Sequence, residues 1–150
     1  MRIRRRVILA ILFIAVIISC NSGSEADRQN VLEAVKKYNG MQRRAYMEAN
    51  INLIVGVATE NQMKKIFPVI QALRAEGSFM MTDQKTFIVG KVSVKGSKAY
   101  AETEETWVFW WQDKDTREIT KPEETITYTI RYNLVIEDGS WKVDSIEDRE

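Results

Sequence analysis

Hydrophobic residues recur every three or four positions in the stretch that follows Ser24. They are Val31, Val35, Tyr38, Ala45, Tyr46, Ala49 and Leu53. This spacing predicts one face of an amphipathic helix. Ser24 and Asp27 have the spacing of a reciprocal N-terminal cap, so the helix is expected to begin there. Gly40 or the region of residues 50–52 is expected to bend or break it.

A second helical pattern begins at residues 59–62, which have the sequence of a capping box, and is expected to stop at Gly77. Its apolar positions are Met63, Ile66, Phe67, Ile70 and Leu73. Pro68 lies inside this pattern and removes one backbone donor. We therefore expect a kink at Pro68, or a first turn that is separate from the rest of the helix.

After Gly77 the hydrophobic period changes to two, which predicts four strands at residues 86–95, 98–111, 123–136 and 141–146. Lys95-Gly96 and Asp138-Gly139 fit tight hairpin turns, and residues 112–122 form a longer polar loop. A two-residue turn at Asp138-Gly139 places Ile136 opposite Trp141 and Leu134 opposite Val143. Helices followed by an antiparallel sheet with one buried face indicate an α+β fold.

The first twenty residues have the plan of an export signal. Residues 1–6 are basic, residues 7–18 are uniformly apolar, and Cys20 follows directly after Ser19. The apolar run is shorter than the ~20 residues that a spanning helix needs. The four residues that end at Cys20 resemble the lipobox of bacterial lipoproteins, in which a small residue precedes a cysteine that becomes lipidated.

That resemblance implies a signal peptide at residues 1–19, a lipidated cysteine and tether at residues 20–24, and one domain at residues 25–150. Acyl chains such as palmitate on Cys20 would then hold the domain at a membrane of the bacterial cell envelope, inner or outer. An uncleaved N-terminal anchor is the alternative interpretation. Both interpretations export the domain.

Charge and composition remove several classes of function. The 22 basic residues include four arginines that precede Cys20, so a chain without them has 18 basic against 21 acidic residues, about −3 net. This slight acidity argues against nucleic-acid binding. There is no histidine and only one cysteine. The usual metal ligand and the usual catalytic triads are therefore missing, and we expect no metal, no cofactor and no disulfide.

Three segments together resemble a known family. Residues 99–105, residues 128–134 and residues 139–143 carry an Ala-Tyr-Ala-Glu strand, a Tyr-Thr-Ile-Arg-Tyr-Asn-Leu strand and a Gly-Ser-Trp-Lys-Val hairpin. These are similar to the IMS domain of chloroplast division proteins and its bacterial relatives. The resemblance implies an NTF2-like (cystatin-like) cone, with N-terminal helices packed on a curved antiparallel sheet of about four strands.

The run of residues 107–111 places aromatic side chains on both faces of the second strand. Alternation sends Trp107, Phe109 and Trp111 to one face, and Val108 and Trp110 to the other. One interpretation is that the first set is core and that a loop or helix covers Trp110. Another is that Trp110 belongs to a partner or self-association face, because aromatic residues are enriched at interfaces. Contact with a membrane interface is the third.

The cone implies a pocket between the long helix and the concave sheet. We place its lining at Tyr46, Trp107, Phe109, Tyr128 and Tyr132. Pockets of related folds bind small apolar molecules or perform proton transfer, which requires a carboxylate beside a hydrogen-bond donor. If the Lys95-Gly96 turn has two residues, Glu105 lies beside Trp107; if it is one residue longer, Glu104 does.

Glu105 and Glu104 are thus the candidates for a general base, although a run such as Glu102, Glu104 and Glu105 is usually a solvated strand face. We assign no catalytic residue on this evidence. The sequence favours a membrane-tethered, non-enzymatic binding or scaffold module. Its lipid would attach it to the membrane, and its protein partner would be an envelope protein or a second copy of itself. The alternatives are a pocket enzyme of isomerase or dehydratase type, and a carrier of a small apolar ligand.

Overall fold

The computed structural model describes residues 23–149, so Cys20 and the leader lie outside the described residues. Two helices, α1 (Glu25–Met47) and α2 (Glu60–Glu76), are joined by a segment that contains a short 3-10 helix, Ile51–Ile54. Four strands follow: β1 (Ser78–Lys95), β2 (Lys98–Asp113), β3 (Ile119–Glu137) and β4 (Ser140–Asp148). They form one antiparallel sheet in chain order, and both helices pack on it.

Helix α1 begins as the capping pattern predicts. Ser24 Oγ accepts from the Asp27 backbone N–H, and the Asp27 carboxylate accepts in return from the Ser24 backbone N–H. Of the two places where a break was expected, Gly40 does not interrupt α1, whereas the helix does end shortly before residues 50–52, at Met47. A glycine costs a helix about 1 kcal/mol relative to alanine. Burial of the apolar face on both sides of Gly40 outweighs that cost.

Helix α2 is capped by Thr59 and ends at Gly77, whose φ of +65° is the left-handed conformation that glycine adopts without strain. Pro68 does not split the helix, contrary to expectation: α2 is continuous from Glu60 to Glu76, and the buried Ile66 and Ile70 hold it to the core on either side.

Two further expectations for α2 need correction. Phe67 is 45% exposed, because it lies about 100° around the helix from the buried positions Gln62, Ile66, Ile70 and Leu73. The capping box at residues 59–62 is also only half formed. Thr59 Oγ1 accepts from the Gln62 backbone N–H, but the Gln62 side chain turns inward and donates to Tyr38 Oη.

The hairpin registers match the turn chemistry. Ile136 lies opposite Trp141, and Leu134 lies opposite Val143, which is fully buried. Trp141 is only partly buried. Strand β1 begins at Ser78, eight residues before its predicted start, and it contains two bulges, between Gln84 and Thr86 and between Val89 and Val92. The first half pairs with β2 without a bulge, but apolar and polar residues do not alternate in its sequence, which is why the sequence does not indicate it.

The core lies between α1 and the inner face of the sheet. Its fully buried side chains include Val31, Val35, Tyr38, Tyr132, Leu134 and Val143. The segment before α2 is tied to β4, because Thr59 donates its backbone N–H to Val143 and Val143 donates to Val57. The second half of α1 faces the inner side of the sheet, and a groove lies between them.

Candidate functional site

Glu105 is the centre of the site. It lies midway along β2 on the face that meets α1, and none of its surface is exposed. Strand pairing places Tyr128 of β3 opposite it on one side and Phe87 of β1 on the other. The hairpin pairs Lys95 with Lys98, so the turn has two residues, and this register directs Glu105 inward. Glu104 is exposed on the opposite face.

Five side chains donate hydrogen bonds to the Glu105 carboxylate. Oε1 accepts from Thr103 Oγ1 at 2.7 Å and from Tyr132 Oη at 2.8 Å. Oε2 accepts from Gln84 Nε2 at 2.7 Å, Trp107 Nε1 at 2.8 Å and Asn39 Nδ2 at 3.2 Å. A carboxylate has about four lone-pair positions, so its accepting capacity is full. All five of these partners are donors, so no accepting position of Glu105 remains for a ligand.

Tyr132 is the tyrosine that contacts Glu105. Burial raises the pKa of Tyr132 far above its usual value, and the negative charge of Glu105 raises it further. Burial likewise raises the pKa of Tyr38, whose ring meets that of Tyr132 edge to face at 6.3 Å. Both hydroxyls therefore remain protonated at neutral pH. Tyr132 acts as a permanent donor to Glu105.

Above Glu105 lies an open groove of about 370 Å³, here called the aromatic groove. Its lining includes all five side chains that we placed in a pocket from the sequence: Tyr46, Trp107, Phe109, Tyr128 and Tyr132. The Phe109 ring stacks on Trp107 at 6.5 Å and meets Tyr128 edge to face at 6.4 Å. The groove has the size and mainly apolar lining typical of small-molecule sites.

The sequence interpretation missed the other lining residues. They are Asn39, Gln42, Arg43, Val69, Met80, Thr82, Ile130 and Ile146. The first three share one face of α1 with Tyr46 at spacings of three, four and seven, so helical periodicity was the available signal. Met80 and Thr82 belong to the first half of β1, which the sequence did not indicate.

Two lining residues have unused hydrogen-bonding or charge capacity. Thr82 is 3% exposed, and its hydroxyl has no hydrogen-bond partner among the described residues. Arg43 is exposed at the rim and is the charged residue of the lining. It forms no ion pair within residues 23–149, although its charge helps to lower the pKa of Asp83, after the larger effect of Lys85.

Glu105 itself does not line the groove. Asn39, Trp107 and Tyr132 line it, and each of them donates to the carboxylate. These three side chains therefore separate Glu105 from anything that enters the groove.

Trp110 is partly buried on the face opposite Trp107, and it pairs with Met81 of β1. Association of a partner or a second copy through this face stays a prediction. Within residues 23–149, no group of three His, Cys, Asp or Glu side chains has an arrangement that fits a metal ion. In that same part of the chain, no helix is long and apolar enough to cross a membrane.

No protein-family profile matches the chain, and no curated protein sequence does. Solved structures do match. The intermembrane space region of chloroplast protein ARC6 is 18% identical, covering 81% of this chain and 95% of that one, with a TM-score of 0.72. A ketosteroid isomerase-like protein from Erwinia carotovora atroseptica is 12% identical, covering 85% and 99%, with a TM-score of 0.52.

An NTF2-like superfamily protein from Salmonella enterica serovar Typhimurium is also 12% identical, covering 85% of this chain and 92% of that chain, with a TM-score of 0.56. Identities this low establish the fold alone. The helices, the open antiparallel sheet and these neighbours confirm the fold predicted from the sequence: the chain has an NTF2-like fold.

Proposed function

We propose that this protein is a membrane-tethered, non-enzymatic binding module of the bacterial cell envelope, and that the aromatic groove is its ligand site. The observation that carries the proposal is the hydrogen bonding and the burial of Glu105. A general base needs a free lone pair within reach of the substrate. The Glu105 carboxylate accepts from five protein donors, is fully buried and does not line the groove.

The network around Glu105 has a structural explanation that needs no chemistry. It joins α1 through Asn39, β1 through Gln84, β2 through Thr103 and Trp107, and β3 through Tyr132. One buried carboxylate thus links four elements and orients the indole and the phenol that line the groove. Such a network favours a preformed binding surface.

The position of the chain entry supports the tether. Gly23 lies against Val94, near the turn between β1 and β2, and a Cβ on Gly23 would be only 2.7 Å from the Val94 Cβ. The described part of the chain therefore begins beside the β1–β2 hairpin, at the first turn of α1. Asn39, the first α1 residue of the groove, is fourteen residues after Glu25, about 21 Å along the helix. The groove therefore lies along the second half of α1, away from the point where the described chain begins, and a tether attached at that point leaves it uncovered.

The pocket-enzyme alternative rests on the contact of Glu105 with Tyr132. A test is α-proton exchange of 2-tetralone in D₂O, followed by NMR, since isomerases and dehydratases of this type remove a proton beside a carbonyl. We expect no exchange above the buffer rate. Exchange that the protein accelerates and that Glu105→Gln abolishes would overturn the non-enzymatic proposal.

Binding is tested with naphthalene, by NMR titration of the protein with Trp107 and Ile130 as reporters. We expect shifts confined to the groove, and Phe109→Ala should weaken binding about fivefold or more, because an aromatic side chain of the lining is lost. Phe67→Ala is the matched control, since Phe67 is exposed on α2 and does not line the groove. Absence of binding would contradict the proposal.

A further inference from the structure

Thr82 is the feature of the aromatic groove that its apolar lining does not explain. Its side chain projects from β1 on the inner face, opposite Phe109, which also lines the groove. The residue is 3% exposed, and its Oγ1 neither donates to nor accepts from any described protein group. A buried hydroxyl without a partner is destabilising, and most buried polar atoms in proteins are paired.

Polar side chains close to Thr82 on the same face of the sheet have hydrogen-bond partners, unlike Thr82. Gln84, two residues later on the same face, donates to Glu105 at 2.7 Å. Thr103, on β2, donates to the same carboxylate at 2.7 Å. The inner face therefore satisfies its other polar groups around Glu105. The Thr82 hydroxyl is outside that network, whereas Thr82 itself is one of the residues that line the groove.

We propose that the groove takes a small apolar molecule that carries one oxygen at its inner end, and that Thr82 Oγ1 bonds this oxygen. A threonine hydroxyl both donates and accepts, so an alcohol, a ketone or a carboxylic acid satisfies it. The aromatic side chains of Trp107, Phe109 and Tyr128 contact the apolar body. Arg43 at the rim makes a neutral or anionic ligand preferable to a cation.

This inference rests on the proposed function, because it names the ligand class of the same groove. The experiment compares naphthalene with 2-naphthol, which differ by one hydroxyl, on the wild-type domain and on Thr82→Val. The Val side chain has the shape of Thr without the hydroxyl. We expect the preference for 2-naphthol over naphthalene to fall about threefold to tenfold in Thr82→Val, the size of one neutral hydrogen bond.

Two further variants make the comparison specific. Thr82→Ser keeps the hydroxyl and should restore the preference for 2-naphthol. Thr125→Val makes the same change on the exposed outer side of β3 and should leave it unaltered. If naphthalene binds but its ratio to 2-naphthol is the same in wild type and Thr82→Val, the inference is overturned while the binding function stands. If neither compound binds the wild-type domain, the proposed function itself fails.

Discussion

Trp107 donates its indole N–H to Glu105, two residues earlier on the same strand, over 2.8 Å. This contact couples the wall of the aromatic groove to the buried network beneath it. The Trp107 ring stacks on Phe109 in the groove while its nitrogen is held by the carboxylate. Any change that removes the carboxylate is therefore expected to disturb both the stability of the fold and the shape of the groove.

Glu105→Ala should lower the free energy of unfolding by about 3–5 kcal/mol, because it removes the shared acceptor of five donors, of which Asn39, Thr103 and Tyr132 are buried and the other two are partly buried. Urea denaturation followed by tryptophan fluorescence measures this. Glu104→Ala is the control: Glu104 is exposed on the same strand, and its change should stay within about 0.5 kcal/mol. An equal loss of unfolding free energy in the two variants would show that the hydrogen bonds of Glu105 do not stabilise the fold.

Stability should decrease at alkaline pH because of Tyr38 and Tyr132. Burial raises the pKa of both in the folded protein, whereas both titrate normally in the unfolded chain. Their contribution is fully present below about pH 10 and is lost as the pH rises above that value, since only the unfolded chain then releases these protons. The expected slope is about 1.4 kcal/mol per pH unit for each tyrosine.

Denaturation curves at several pH values between about 9 and 11 measure that slope. Tyr38→Phe should reduce the slope of unfolding free energy against pH by the contribution of one tyrosine. Tyr100→Phe should not reduce it, because Lys91 beside Tyr100 lowers rather than raises the pKa of that phenol. A slope that Tyr38→Phe leaves unchanged would mean that the hydroxyl ionises in the folded state.

Local rules were sufficient to predict the order of the elements, except for the first half of β1, and to restrict the inward carboxylate to Glu105 or Glu104. The turn at residues 95–98 sets the parity of β2, and parity alone separates the inward Glu105 from the outward Glu104. Its partners were not predictable in the same way. Gln84 ends the part of β1 that the sequence did not indicate, directly before a bulge, and Asn39 is a polar residue on an otherwise apolar helix face. Both meet Glu105 only through tertiary packing.

Cys20 provides the test of the tether. Mass spectrometry of the membrane fraction from bacteria that express the full chain should detect a mature N-terminus at an acylated Cys20. Cys20→Ser should move the domain out of that fraction, because two or more acyl chains are needed for stable anchoring and the variant can receive none. Recovery of an intact Met1 terminus as the major species would instead support the uncleaved anchor.

Arg43 should distinguish ligands by charge. It is exposed, it lines the rim of the aromatic groove, and it forms no ion pair within residues 23–149. Arg43→Gln is expected to weaken binding of 2-naphthoate about twofold to fivefold at low salt, the range of an exposed charge pair, and to leave naphthalene binding unchanged. Added salt should reduce the wild-type preference for the anion, since exposed charges are screened.

The neighbouring arginine is a matched control for this effect. Arg44 is also exposed on α1, but it is paired with Glu48 at 3.1 Å and does not line the groove. Arg44→Gln removes the same unit of charge from the chain, so it measures the long-range contribution alone. If Arg44→Gln and Arg43→Gln weaken 2-naphthoate binding equally, the anion responds to the net charge of the domain, and Arg43 does not contact the ligand at the rim.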